Sequence, residues 1–312
     1  MQRLLSTGLV FGLLVSTAVA FAVTENLKLT QSPVTRTQVE KTLSPLCSCR
    51  TSAATIKFWL RHPDTLTLSV VDSDRHEVKR LVDGVYAHRR WNTFTWNGRT
   101  DAGSVARDGA YYPRIHLAQA HRTILLPNRI ELDTEAPKVI DAKPNRAVFS
   151  PDGDGQSDSI KIHYKLGERA RAVLYLDGRQ LVRTRFAPRS GSLAWYGRVN
   201  GMPLAPGTYK LRIGAVDAAG NASGAQNGVA VVVRVRYIEL GRHRIAPITA
   251  ATRFGVRVGT DAKSYGWRLA GKSGRSSAPL LVVRAPASAG RYRLVVEENG
   301  HRDAATVIVV HR

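Results

Sequence analysis

The chain is short of cysteine: Cys47 and Cys49 are the only two in 312 residues. Two sulfurs alone do not supply the four ligands of a structural zinc site. It is short of acid as well, with 24 Asp and Glu against 46 Lys and Arg, a net charge of +22. That surplus favours anionic partners: wall polymers, acidic glycans, lipid headgroups or nucleic acid. Yet the chain has no run of five basic residues, no recognition-helix pattern and no aromatic-basic RNA signature, so nucleic acid is not an expected partner. Outside the N-terminal segment no ten-residue stretch has helical period. Catalytic patterns are missing too. The nine histidines form no metal spacing, and His116 and His121 read as surface residues. Ser190-Gly191-Ser192 lacks the nucleophile-elbow pattern. Glu297 and Glu298 fall on opposite faces of a strand. Gly266–Ser273, GWRLAGKS, satisfies the phosphate-loop spacing, but that chemistry needs a strand before the loop and a helix after it. Here Trp267 and Leu269 alternate like a strand, and Gly274–Pro279 reads as a loop. The expected object is a hairpin with Gly271–Gly274 at its tip, and no enzyme.

One apolar run is present, from Leu4 to Val23, behind Arg3. It reads as an export leader spanning 1–22, with Ala18-Val19-Ala20 or Ala20-Phe21-Ala22 as the small-residue cleavage site. Its length also fits an uncleaved membrane anchor with the body outside, and in that reading membrane contact is made through this segment alone. No cysteine lies near the cleavage site, so no lipid attachment is expected there. Thr24–Glu40 is a polar lead, a spacer or first edge strand.

The rest is built on a repeat. Trp96–Leu117, WNGRTDAGSVARDGAYYPRIHL, has an Asn-Gly turn, a second turn at Asp101-Ala102-Gly103, and a Gly-x-Tyr that opens a strand. Trp195–Ala215, WYGRVNGMPLAPGTYKLRIGA, repeats the construction, and Gly290–Val296, GRYRLVV, repeats its end. In the second copy Tyr209, Leu211, Ile213 and Ala215 share one face. Tyr111, Ile115 and Leu117 do so in the first, and Tyr292, Leu294 and Val296 in the third. Trp96, Tyr111, Trp195, Tyr209 and Tyr292 are therefore expected as core aromatics rather than a stacking surface for ligands. Pro113 cannot donate to a ladder, which predicts an edge strand or a bulge there.

W-x-G-R followed by G-x-Y resembles the bacterial immunoglobulin-like domain of the flagellar hook-capping type, a module found in many exported bacterial proteins. The second copy adds FSPDGDGQSD at Phe149–Asp158 and DAAGN at Asp217–Asn221. The resemblance covers about Ser44 to Val235 as two modules and implies an immunoglobulin-like fold; by its name it also implies a flagellar hook-assembly role as an alternative function.

Two loops follow Ser-Pro pairs. LSPLCSCR, from Leu43, carries the cysteines. In an oxidising compartment a disulfide closing a small ring is expected, with a reactive dithiol or a metal site as the rival readings. FSPDGDGQSD places Asp152, Asp154, Gln156 and Asp158 at alternate positions. That spacing is similar to the first part of a calcium loop, but Gly155 is misplaced and His163 stands where the closing Glu belongs. Structural calcium and a plain Asp-Gly turn both remain open.

Strands are expected at Thr55–Leu60, Thr65–Val71, Glu77–Val82, Trp91–Trp96 and Ala110–Ala118, with Asp72-Ser73-Asp74 and Asp83-Gly84 as turns. Asp133–Pro137 is a linker. The fold expected is all-β: immunoglobulin-like sandwiches at 23–135 and 136–235 and a divergent one at 236–312. The function expected is a non-enzymatic exported envelope or secreted protein, a spacer and binding surface for an anionic wall polymer, a glycan or another envelope protein. Accessory domains of a secreted hydrolase are a further alternative.

Overall fold

A computed structural model describes residues 12–22 and 31–311. Residues 12–22 are helical and exposed. Ser16 and Thr17 donate their hydroxyls to the carbonyl of Leu13, which satisfies them within the helix. Arg3, the first part of the apolar run and the start of the polar lead lie outside the described residues. Among the described residues no helix is long and apolar enough to cross a membrane.

Apart from one 3-10 turn at Arg50–Ser52, the other described residues form strands, turns and loops, and the chain divides into two compact units, Met1–Thr134 and Glu135–Arg312. The first unit is one immunoglobulin-like β-sandwich. Val34–Val39, Ala54–Leu60 and Trp91–Trp96 form its three-stranded sheet. The facing sheet runs in the order Thr42–Leu43, Ile130–Leu132, Gly109–Leu117, Asp64–Val71, Glu77–Ala87, with Arg122–Leu125 also paired to Gly109–Leu117. The second unit repeats this plan twice. Val139–Pro144, Ile160–Leu166 and Ser190–Trp195 oppose Val148–Phe149, Val229–Val235, Gly207–Val216, Arg171–Leu176 and Arg179–Arg183. Ile238–Leu240, Arg253–Thr260 and Leu280–Arg284 oppose Arg244–Thr249, His301–Val310, Gly290–Glu298, Tyr265–Leu269 and Lys272–Ser276. Each sandwich has its own buried cluster, centred on residues such as Phe58 and Ile115, Leu174 and Ile213, and Leu294 and Val307.

Alternation makes these sheets. Ile160–Leu166 buries every second residue, Ile160, Ile162, Tyr164 and Leu166, and exposes Lys161, His163 and Lys165. The period of two leaves one face for the core and one for water.

The repeated motifs turn out to be small fixed devices. Trp96 and Trp195 are buried, and each indole N–H donates to the carbonyl three residues on, at Arg99 (2.9 Å) and Arg198 (3.3 Å). The Arg side chains then close the next turn, donating to Gly103 O and Gly201 O. Gly98 and Gly197 hold positive φ, and a Cβ there would strike the prolines of the Ser-Pro pairs, Pro45 at 3.0 Å and Pro151 at 2.8 Å. So W-x-G-R and Ser-Pro are two halves of one contact. The Gly-x-Tyr device recurs in all three sandwiches. Tyr111, Tyr209 and Tyr292 each donate their hydroxyl to the carbonyl four residues back, Arg107, Ala205 and Ser288. This is the tyrosine corner of immunoglobulin-like domains. Tyr111 is buried, whereas Tyr209 and Tyr292 are half-buried at the sandwich end.

Three sequence expectations change. The strand holding Pro113 is interior. Ile130–Leu132 pairs with it at Gly109–Tyr111 and Arg122–Leu125 pairs with it at Arg114–Leu117. Pro113 stands between these two stretches, where its missing N–H interrupts neither ladder. Asp83-Gly84 is not a turn but a bulge inside the continuous strand Glu77–Ala87, where the register with Asp64–Val71 slips. Thr67 Oγ1 donates to Asp83 and accepts from Gly84 N across it. The hairpin of GWRLAGKS has its tip at Ala270-Gly271, both with positive φ, and Gly274 is paired within the ladder opposite Trp267.

Candidate metal centre

In the Asp152–Asp158 loop the acidic residues separate into two kinds. Asp158 is turned into the loop, where its carboxylate accepts from the backbone N–H groups of Gly153 (2.6 Å) and Gly155 (2.8 Å). Gln156 donates its backbone N–H to Asp154 Oδ1 at 2.6 Å. Asp152 and Asp154 instead project toward the third sandwich. Their carboxylate oxygens and that of Glu298 all lie within 4.8 Å of one another. Thus the structure joins Asp152 and Asp154 to Glu298, and uses Asp158 as the brace of the loop.

Glu298 ends the strand Gly290–Glu298 and faces inward in register with Leu294 and Val296. It is only 7 % exposed, and its Oε2 has no hydrogen-bond partner. Asp152 Oδ2 and both carboxylate oxygens of Asp261 are likewise buried and unpartnered. Ser150, 1 % exposed, has its Oγ beside Asp261, where its hydroxyl is the one nearby side-chain group that eases the Asp261 charge. Among the described residues no Lys, Arg or His lies within ion-pair distance of Asp152, Asp154, Asp261 or Glu298.

The electrostatics follow from that crowding. Burial pushes the Glu298 carboxyl up to about 7, and the charges of Asp152, Asp154 and Asp261 push the same way. Asp261 is raised by burial first and then by Asp154 and Asp152. Buried and half-buried carboxylates elsewhere are treated differently. Asp64, 5 % exposed, accepts from the N–H groups of Gln119 (2.9 Å) and Ala120 (3.0 Å). Asp303 accepts from Leu240 N at 2.8 Å and lies 3.0 Å from the His243 ring.

An open groove of ≈ 730 Å³ adjoins the cluster, lined among others by Asp154, Trp267, Arg268, Arg275 and Glu298. Trp267 lies across Gly274, where a Cβ would meet the indole at 3.0 Å. Asn299 Nδ2 donates to Asp152 O at 2.8 Å, tying the end of that strand to the loop.

The other loop holds a disulfide between Cys47 and Cys49. Thr51 Oγ1 lies 3.0 Å from the Cys49 sulfur. Asp72, Asp74 and His76 make a second group with converging donor atoms, but it is largely exposed, and Asp72 Oδ1 already accepts from Asp74 N and His76 N. His116 is exposed against Thr123, and His121 occupies a turn at φ 47°.

Sequence reasoning missed Glu298 and Asp261. Glu298 did carry a signal: it is an acidic residue on the apolar face of its strand. Asp261 carried none.

No protein-family model matches the chain, and no curated protein matches it. Among solved structures, an I-band fragment from titin is 13% identical with a TM-score of 0.32, covering 91% of this chain and 100% of that one. A Bacteroides ovatus mixed-linkage glucan utilization protein in complex with a heptasaccharide is 14% identical with a TM-score of 0.24, covering 91% and 70%. Extracellular domains 3–5 of Drosophila OTK are 14% identical with a TM-score of 0.21, covering 90% and 100%.

Proposed function

We propose that the chain is an exported, non-enzymatic protein whose immunoglobulin-like sandwiches act as a spacer and as a binding surface for an anionic polymer of the cell envelope, an acidic glycan or wall polymer. The observation that carries this reading is the outer face of one sheet. Along Ile160–Leu166 the exposed residues are Lys161, His163 and Lys165, and Lys143 stands opposite His163 on the neighbouring strand. The strand on the other side adds the small residues Ser190, Ser192 and Ala194 in register. Successive outward residues on a strand are roughly 7 Å apart, so the face offers the ammonium groups of Lys161, Lys165 and Lys143 beside a strand of small residues. Asp141, paired with Lys143 at 3.3 Å, is the acid beside it. At one side lies a groove of ≈ 410 Å³ formed in part by Arg185 and an exposed Phe186.

The apolar segment before Val23 supports export. The similarity of W-x-G-R and G-x-Y to the hook-capping module supports the fold, and through its occurrence in exported proteins the compartment; a hook-assembly role has only that fold-level analogy behind it.

The test is binding to immobilised acidic polymers such as heparin and purified wall polymer across a salt series. Retention should fall with salt, and Lys161→Glu with Lys165→Glu should weaken it at least tenfold without moving Tm. Unchanged retention in that double variant sinks the reading.

A further inference from the structure

The geometry points to a binding site for one calcium ion between the second and third sandwiches, with Asp152, Asp154 and Glu298 as carboxylate ligands and Asp261 as a fourth carboxylate close behind them. This goes beyond the proposed surface binding and does not depend on it. The three ligand oxygens lie within 4.8 Å of one another, the span available to two ligands that each sit about 2.4 Å from one calcium.

An acidic cluster alone would not carry the assignment, because exposed carboxylates gather in turns without any ion. Here one of them is not exposed. Glu298 is 7 % exposed, points at Asp152 and Asp154, and leaves Oε2 without a partner. Asp152 Oδ2 is in the same condition. Burying unpaired carboxylates is costly, and a bound cation is the ordinary way such charge is matched. A basic side chain could have done it instead. The chain has 46 of them, yet among the described residues none is paired to these four groups. The donors are all oxygen, which selects a hard cation. They come from three separate loops and strand ends rather than a fixed octahedral cage, which favours calcium over magnesium. The ion would bind Glu298 of one sandwich to Asp152 and Asp154 of the other, beside the Asn299–Asp152 hydrogen bond, and so fix the angle between the two sandwiches.

Terbium supplies the direct test, because Trp267 lines the same groove as Asp154 and Glu298 and can sensitise its luminescence. Chelator-treated protein should bind one terbium per chain, displaced by calcium at submillimolar to millimolar concentration and by magnesium only at much higher concentration. Calcium at 5 mM should raise Tm by roughly 2–8 °C over chelator. Glu298→Gln and Asp154→Asn should each weaken binding at least tenfold, while Asp74→Asn, in the exposed Asp72–His76 group, should not. Glu298→Gln replaces a carboxylate by an amide of the same shape, and Asp154 is exposed, so at least one of the two variants can be read in folded protein. Binding absent at 10 mM calcium, binding that survives both substitutions, or equal displacement by magnesium overturns the assignment. None of these outcomes touches the Lys161–Lys165 face, which is tested separately.

Discussion

Gly197 and Gly153 both hold positive φ, +61° and +83°, but their surroundings differ. A Cβ on Gly197 would stand 2.7 Å from Phe149 and 2.8 Å from Pro151, whereas one on Gly153 would meet nothing within 4 Å. Alanine at either position pays the cost of a left-handed backbone, about 1 kcal/mol, and Gly197→Ala adds overpacking of about 1–3 kcal/mol. Urea denaturation should therefore place Gly197→Ala clearly below Gly153→Ala, and equal midpoints would show that the Phe149–Pro151 contact gives way freely. This contact was half legible in the sequence. The recurrence of Ser-Pro and W-x-G-R marked both partners, since each is a local pattern. That they meet is long-range information, and nothing in either pattern states it. Glu298 is the sharper case. Its inward register could be read from Leu294 and Val296, but its companions Asp152 and Asp154 stand nearly half the chain away. Periodicity assigns a residue to a face and never to a neighbour across a core. For that reason Asp158, which shares the alternate spacing of Asp152 and Asp154, looked equivalent to them; only the backbone path of the loop distinguishes a brace from a ligand.

At the level of elements, the strands that open with Gly-x-Tyr are interior in every sandwich. Gly207–Val216 is paired along both sides, with Arg171–Leu176 and Val229–Val235, while Arg179–Arg183 closes the sheet edge. Amide protection follows burial and pairing. Hydrogen exchange should find Leu211 and Ile213 among the slowest amides of the second unit and the Arg179–Arg183 edge among its fastest; the reverse order would contradict the pairing. The alternation of these strands was readable because one face is dry. Where both faces or the ladder itself matter, it was not. Pro113 suggested an edge or a bulge, since a proline without an N–H is normally placed where no partner waits. The strand is instead central, and its partner changes at that residue. Asp83-Gly84 had the composition of a turn, but Thr67 fills the kink and the strand runs on. In GWRLAGKS, Trp267 and Leu269 already gave the strand; the position of the tip depended on which two residues adopt positive φ, and Ala270 was not a residue to expect there.

Across the whole molecule, three sandwiches share one wiring: the chain enters each large sheet on a short strand that runs parallel to the last strand of the same sandwich. Thr42–Leu43 is matched to Ile130–Leu132 at two positions, and Val148–Phe149 to Val229–Val235 at two. Arg244–Thr249 is matched to His301–Val310 at four. The all-β plan and its repetition were plain from the turn spacing, but these parallel pairings were not: two of the three entry strands have two residues and leave no period to read, and in Arg244–Thr249 the register shifts after Ile245. Their consequence is mechanical. Tension applied along the backbone pulls that entry strand and the last strand in opposite directions along their own axes, so their cross-links are loaded together in shear rather than peeled one at a time. Resistance then grows with the number of links that must break at once. In a single-molecule stretching experiment the sandwich closed by four matched positions should rupture at higher force than the two closed by two, and the chain should lengthen in that order, yielding first where its clasps are shortest.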